Sequence, residues 1–203
     1  MKSFEMLLPK TVAEAVRSLP SDDAFAERRK VKVLAGGQDL IGELKDHLEE
    51  PISVVNLKGI PGLDRIEPLT GGGLVIGALV TVAEIEGHER IRSNLPMLAE
   101  AAASVGSPQI RNQGTLGGNL CQRPRCWYYR NEDTVCLKKG GTECFSAEGL
   151  NKYNAILGGG PSFIVHPSDL APALVCLGAE FVAVGPEGSR TIPAGEFFTL
   201  PSE

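Results

Sequence analysis

The chain has 203 residues, of which 42% are apolar and 22% charged, with a formal net charge of −5. That balance describes an α/β or α+β globular protein, and it argues against a nucleic-acid surface, which needs a basic face. No stretch approaches the roughly 18 apolar residues of a membrane span. The opening MKSFEMLLPKTVAEAV lacks the apolar run and small-residue cleavage site of a signal peptide, so a cytoplasmic location is expected, with a periplasmic one open to a complex exported on a partner's signal.

From the N-terminus, FEMLLPKTVAEAVRSL predicts a short strand, then a helix capped by Thr11 with Val12, Ala15, Val16 and Leu19 along one face. Residues 20–30 are polar and predict a loop with a short helical turn. VKVLAGGQDLIGELKD then predicts a strand, a glycine turn and a helix carrying Leu40, Ile41 and Leu44. After Pro51, SVVNLKGI supplies another strand, which completes a small βαβ-like unit. The first domain is therefore expected to occupy residues 1–57 and the second 58–203.

In the second region, IPGLDRIEPLTGGGLVIGALVTVAEI predicts two short strands around Gly71, Gly72 and Gly73, followed by a helix capped by Thr81. LPMLAEAAASV is a helix with a small-residue face suited to close packing. Further on, HPSDLAPALVCLGAEF predicts a helix starting near Leu170 behind Ser168 and Asp169, with Pro172 in its first turn. A hairpin then turns at PEGS. FFTLPSE stops directly after a strand-like segment, which leaves the expectation that the chain is a fragment or leans on a partner.

Two glycine segments carry the binding chemistry. Ala35-Gly36-Gly37-Gln38-Asp39 and Thr115-Leu116-Gly117-Gly118-Asn119 each offer consecutive amides free of bulky side chains beside a polar residue. Two such loops facing each other can clamp a diphosphate. Neither matches GxGxxG or GxxxxGK[ST], which disfavours a Rossmann-type NAD enzyme and a P-loop protein.

Of the five cysteines, Cys121, Cys126, Cys136 and Cys144 cluster directly after the second glycine segment. Cys176, in APALVCLGA, is expected to be a buried small hydrophobe. Four thiolates suit tetrahedral zinc or a four-iron cluster. Because no CxxC pair occurs, the irregular spacing favours a loop wrapped around a larger object, with a zinc-stabilised interaction protein as the alternative. Arg123, Arg125, Arg130, Lys138 and Lys139 either balance a cluster's negative charge or form a solvated basic face. Trp127, Tyr128 and Tyr129 either shield the metal site or pack in a core or interface. His47, His88 and His166 have no nucleophile partner, and no catalytic residue is expected.

Taken together, LAGGQDLIGELK, VNLKGIPGL, LVIGALVTVAEI, SPQIRNQGTLGGNLC and HPSDLAPALVCLGAEF resemble, in order, the FAD-binding medium subunit or domain of the molybdenum hydroxylases, the xanthine dehydrogenase, aldehyde oxidoreductase and carbon monoxide dehydrogenase family. The resemblance implies an α+β, PCMH-type FAD-binding fold. In it, a small α/β subdomain joins a larger one with a mixed or antiparallel sheet and flanking helices, and the family's C-terminal subdomain is absent here. CQRPRCWYYR resembles the branch with an additional four-iron cluster, which places a cluster loop at residues 121–150.

Carried over residue by residue, the resemblance implies that Leu34, Ala35, Gly36, Gly37, Gln38, Asp39 and Leu40, together with Thr115, Gly117, Gly118 and Asn119, hold the FAD pyrophosphate. It also implies that Ala78 and Thr81 lie near the flavin or ribityl chain, that Ile110, Arg111, Asn112 and Gly114 shape the entry to the second loop, and that Ser168 and Asp169 contact the ribityl or adenosine portion. Gln38 stands where the family usually has threonine. The implied cofactors are FAD and a 4Fe-4S cluster, with Cys121, Cys126, Cys136 and Cys144 as ligands. The implied partners are a molybdopterin-binding large subunit and a 2Fe-2S small subunit, with no nucleic acid and no membrane. The implied function is electron transfer from iron-sulfur clusters to FAD and on to an external acceptor, with no activity on substrate by this chain alone. A stand-alone flavin oxidoreductase of the same fold is the other alternative.

Overall fold

The computed structural model describes residues 1–20, 25–158 and 160–199. Three short strands open the architecture: β1 (Glu5–Leu7), β2 (Val31–Leu34) and β3 (Ser53–Asn56) form a parallel sheet in the order β1-β3-β2. Parallel neighbours require crossovers, and these come from α1 (Val12–Arg17) with α2 (Phe25–Lys30) on one passage and α3 (Leu40–Lys45) on the other. As the central strand, β3 is buried on both faces, with Ser53, Val54 and Val55 all covered, which is why its two valines are adjacent and do not alternate with exposed polar residues. Thr11 caps α1 as expected, its hydroxyl accepting from the Glu14 amide at 3.1 Å. Val12 and Ala15 pack with Leu7, Val31, Val55 and Ile60 in a small core.

Two expectations for this region need correction. Leu19, expected on the apolar face of α1, is exposed, because it follows the Ser18 cap where the helix has already ended. Residues 25–30 form α2, a longer helix than the short helical turn expected within that loop. Residues 21–24 of that stretch lie outside the described residues, as do 200–203 of the terminal segment.

The rest of the chain begins with an antiparallel pair, β4 (Ile66–Pro68) and β5 (Leu74–Ile76), joined through Gly71–Gly73 as predicted. A helical layer follows, made of α4 (Val82–Gly87), α5 (Glu89–Asn94), α6 (Pro96–Ser104), α7 (Pro108–Gln113) and α8 (Leu116–Leu120). Thr81 closes a full capping box on α4, bonding the Glu84 amide while the Glu84 carboxylate accepts from the Thr81 amide. Leu98, Ala102 and Val105, spaced four and three apart, bury the inner side of α6. They meet Val82, Ile85, Ile91, Leu116, Leu120, Leu170 and Leu174 in the main core. Among the described residues, the cysteine segment then runs with only a single 3-10 turn, at Leu137–Lys139, before α9 (Leu170–Cys176), the hairpin β6 (Glu180–Gly185) and β7 (Gly188–Pro193), and α10 (Ala194–Phe197).

Glycines and polar residues hid α5, α7 and α8 in the sequence, although Ser107-Pro108 is the cap and first-turn signature of a helix start, and the Ser107 hydroxyl does cap α7. Cys176, expected to be buried, is exposed. It lies in the last turn of α9, whose buried residues are Leu170, Ala171, Ala173 and Leu174.

Candidate functional site: two glycine segments and a cysteine loop

The two glycine segments face each other. A Cβ on Gly36 would fall 1.9 Å from the carbonyl oxygen of Gln113 and 3.2 Å from the Gly114 Cα, so backbone lies on backbone and only glycine fits. Gly37 has φ of 82°, which turns the chain from β2 into α3. The amides of Gly36, Gly37 and Gln38 donate to no group among the described residues, and all three residues precede the helix.

The second segment is built differently from the expectation. Thr115 is buried and caps α8, its Oγ1 accepting from the Gly118 amide at 3.2 Å. The Gly117 amide donates to the Ala78 carbonyl at 2.9 Å and the Asn119 amide to the Thr115 carbonyl at 2.8 Å. The amides that the sequence assigned to a diphosphate at Gly117, Gly118 and Asn119 are thus taken up inside the chain. Gly117 is glycine for a packing reason, since its Cβ would lie 3.0 Å from both the Cβ and the carbonyl oxygen of Ala78. What the expectation does foresee is the grouping of residues. Thr81 and Thr115 form an antiparallel bridge, Val82 donates to Gly114 at 2.9 Å, and Leu116 donates to Val80 at 2.8 Å. Ala78, Thr81, Gly114, Thr115 and Gly117 therefore lie together beside Gly36.

Ser168 joins the same site from the other end of the chain. Its hydroxyl donates to the Asn119 carboxamide oxygen at 2.5 Å and accepts from the Ala171 amide at 3.0 Å. Ser168, and not Asp169, supplies the side-chain cap of α9, because Asp169 makes no capping bond and is exposed. His166, which sequence left without a role, lies 3.1 Å from the Leu120 carbonyl through Nε2 and accepts from the Ser168 amide at Nδ1. That pattern fixes the neutral Nε2–H tautomer and holds 166–168 against the end of α8. Arg111 is likewise committed to the scaffold. Its guanidinium bonds Glu86 at 2.7 Å and the Val105 carbonyl at 3.1 Å. Gln38, Asn112 and Ile110 are exposed around the opening, and Leu34 and Leu40 flank the first turn in half-buried positions.

Asp39 departs furthest from its expected place. Its carboxylate accepts from the Arg123 amide at 2.6 Å, from the Arg125 guanidinium at 2.5 Å and from Arg130 at 2.8 Å, all in the cysteine loop. Burial pushes the Asp39 carboxyl up, but those donors overcome it and hold the group below the usual carboxylate range. One helical turn on, Glu43 is buried and accepts from the Tyr129 hydroxyl at 3.0 Å. Burial and the neighbouring Asp39 charge raise the Glu43 carboxyl, and burial together with Glu43 also pushes the Tyr129 phenol up. Sequence reading missed Glu43 and Tyr129 as partners, since nothing local links residues so far apart.

Three of the four clustered cysteines, Cys126, Cys136 and Cys144, line one small cavity of about 10 Å³ with Tyr128, Lys138, Ser146 and Ser162, no larger than one water molecule needs. Cys121 caps the end of α8 and does not line it. Among the described residues, no group of three or more His, Cys, Asp or Glu is placed to hold a metal ion. Three of the four expected thiols therefore line one space, and that space is smaller than a cluster. Cys144 lies 3.1 Å from the Ser146 hydroxyl and accepts from the Phe163 amide. Burial raises its thiol, but these hydrogen bonds bring it below the ordinary value, a setting that favours thiolate. Trp127 stacks edge-on with Tyr153 and remains exposed, whereas Tyr129 is core.

A small parallel sheet and a helical layer thus bring the two glycine segments into contact. Residues 2–203 match the model of the FAD binding domain in molybdopterin dehydrogenase, and the chain belongs to that family. It is 37% identical over 189 residues to the aldehyde oxidoreductase FAD-binding subunit PaoB of Escherichia coli, covering 91% of this chain and 59% of that one. It is 31% identical over 196 residues to the carbon monoxide dehydrogenase medium chain of Hydrogenophaga pseudoflava, covering 96% and 52%. In a structure of reconstituted CO dehydrogenase from Oligotropha carboxidovorans, a chain superposes with a TM-score of 0.68 at 26% identity, covering 98% of this chain and 53% of that one. The chain thus spans between about half and three-fifths of the length of these relatives. No helix among the described residues is long and apolar enough to cross a membrane.

Proposed function

We propose that this chain is the FAD-binding part of an electron-transfer subunit in a molybdopterin-dependent dehydrogenase. It would work with a molybdopterin-binding large subunit and a 2Fe-2S small subunit and have no substrate chemistry of its own. The observation that carries the reading is the first glycine turn. The amides of Gly36, Gly37 and Gln38 are unengaged, and the turn lies against Gln113 and Gly114 in a chain that matches the family along its whole length. These donors suit the diphosphate of FAD, because a concave run of backbone N–H groups is an anion site. Ala78 and Gln38 are exposed at the opening, where the dinucleotide would run towards Asn119 and Ser168. When bound, FAD supplies the two-electron redox chemistry, and the protein's part is to position the ring and shield it from water.

The cysteine loop supports a second centre. Cys126, Cys136 and Cys144 share a cavity, Cys144 sits in a thiolate-favouring setting, and Cys121 stands close in sequence as the fourth donor. These four residues would hold the 4Fe-4S cluster, which supplies one-electron transfer when bound, and the closed cavity would have to open to admit it. The complex would work in the cytoplasm, or in the periplasm if exported with its partners.

The test is a titration of the full chain with FAD, followed by flavin and metal analysis of protein prepared without oxygen and by co-purification from its source. Saturable FAD uptake and capture of a molybdenum-containing subunit are the expected results. A colourless protein holding one zinc ion would overturn the reading, and so would a monomer that reduces a substrate unaided.

A further inference from the structure

Asp39 connects two sites that the sequence treats as separate. It ends the first glycine turn, yet its side chain makes no capping bond to its own helix. All of its bonds go to residues 84 to 91 positions further along the chain. Of the three donors, Arg125 is about half exposed, and such a pair contributes little. The Arg130 guanidinium, whose side chain is 20% exposed, matters most, because a hydrogen bond between charged groups in a shielded place is stronger, and the Arg123 amide adds a charge-assisted bond beside it. A second tie lies one turn along α3, where Tyr129 donates to buried Glu43 and Arg130 lies 3.7 Å from it.

The turn's own amides are unengaged. Besides the bonds that its Gly37 and Asp39 carbonyls accept from Ile41 and Glu43 of α3, it lies against the Gln113–Gly114 backbone on one side and is tied to the cysteine loop, through Asp39, on the other. Releasing the loop removes the tie on that side.

We propose that Asp39 is a positioning residue that fastens the first glycine turn to the cysteine loop, so that order in the loop sets the affinity of the turn for a dinucleotide. The dinucleotide half rests on the FAD function proposed above. By linkage the effect is reciprocal: whatever the loop contributes to dinucleotide affinity, a bound dinucleotide contributes equally to order in the loop. A subunit built this way binds FAD well only when its cysteine loop is folded in place.

Hydrogen exchange on the full chain tests the linkage without any cofactor. The amides of Ile41 and Glu43 bond the carbonyls of Gly37 and Asp39 and so report the geometry of the turn. Arg130→Met should speed exchange at both by tenfold or more while leaving the α6 amides at their wild-type rates, and Arg130→Lys should restore most of the protection. The same Arg130→Met chain should bind FAD about tenfold more weakly, and FAD should slow exchange of the Arg130 amide in the wild type. Wild-type rates at Ile41 and Glu43 in Arg130→Met would overturn the linkage. Equal acceleration in α6 would also overturn it, by showing only a general loss of stability. If the wild-type chain takes up no FAD, the dinucleotide half falls, and the exchange at Ile41 and Glu43 still decides whether loop and turn are one unit.

Discussion

Replacing Gly36 with alanine gives the sharpest test of how the two glycine segments work together. The added Cβ would stand 1.9 Å from the Gln113 carbonyl oxygen and 2.9 Å from its carbonyl carbon. Both are backbone atoms, so no side chain can swing aside. Ordinary contact begins near 3.4 Å, so the segments must separate by about 1.5 Å, well beyond what a packed interior accepts without strain of about 1–3 kcal/mol. If the turn holds the FAD diphosphate as proposed, a shift of that size also takes at least one amide away from a phosphate oxygen. A hydrogen bond to a charged group is worth about 1.5–3 kcal/mol, so FAD should bind about 10- to 150-fold more weakly. Gly42→Ala is the matched control, because a Cβ there meets nothing within 4 Å and alanine in a helix is about 1 kcal/mol better than glycine. Flavin fluorescence titration gives the affinity and urea unfolding gives the stability. Unchanged FAD affinity in a folded Gly36→Ala chain would refute the two-segment clamp.

Ser168→Ala removes the cap of α9 and leaves the Asn119 carboxamide oxygen without its partner, so urea unfolding should show a loss of about 1–3 kcal/mol; a loss below about 0.5 kcal/mol would contradict that role. Glu43→Gln tests the buried acid, which faces Asp39, Arg130, Tyr129 and Glu49. Because its folded pKa lies above the ordinary carboxyl value of 4.5, its stabilising contribution is full below 4.5 and lost as pH rises through the raised value. The stability of the variant relative to wild type should therefore improve between pH 4.5 and 7, and a difference independent of pH would rule this out. Asp39 has the opposite sign: its folded pKa is depressed, so its contribution is present above the unfolded value of 3.8 and lost as pH falls through the lower folded value. Asp39→Asn should accordingly cost stability at pH 7 and progressively less in strong acid. Cys136→Ser should remove iron from chain purified without oxygen, and an unaltered iron content would exclude the cluster assignment.

Much of this site was legible before any coordinates. Periodic apolar residues, the Thr11 and Thr81 caps and the glycine triplet at 71–73 are local signals, and each element they predict is present because hydrogen bonding within a few residues decides it. The resemblance likewise identified the positions that come together, from Gly36 through Thr115 to Ser168. Sequence misjudged what those positions do. It read Gly117 and Gly118 as donors to a ligand, but their amides are used by Ala78 and Thr115, and only the packing of the β5–α4 connection against α8 could reveal it.

Asp39 makes the same point more strongly. Its place after two glycines makes it look like a ligand residue, and its charge, its position and its neighbours in sequence are all consistent with that. Its partners are 84 and more residues away, brought to it by the fold of a loop that has almost no regular structure. The sequence alone determined the strands, the glycine turns and the helices α1, α3, α4, α6 and α9, because those rest on short-range properties of the chain. Which donors are spent inside the protein, which remain unengaged, and which carboxylate ties the first glycine turn to the cysteine loop were settled only by tertiary contacts, since a hydrogen bond goes to whichever partner the folded chain brings within about 3 Å.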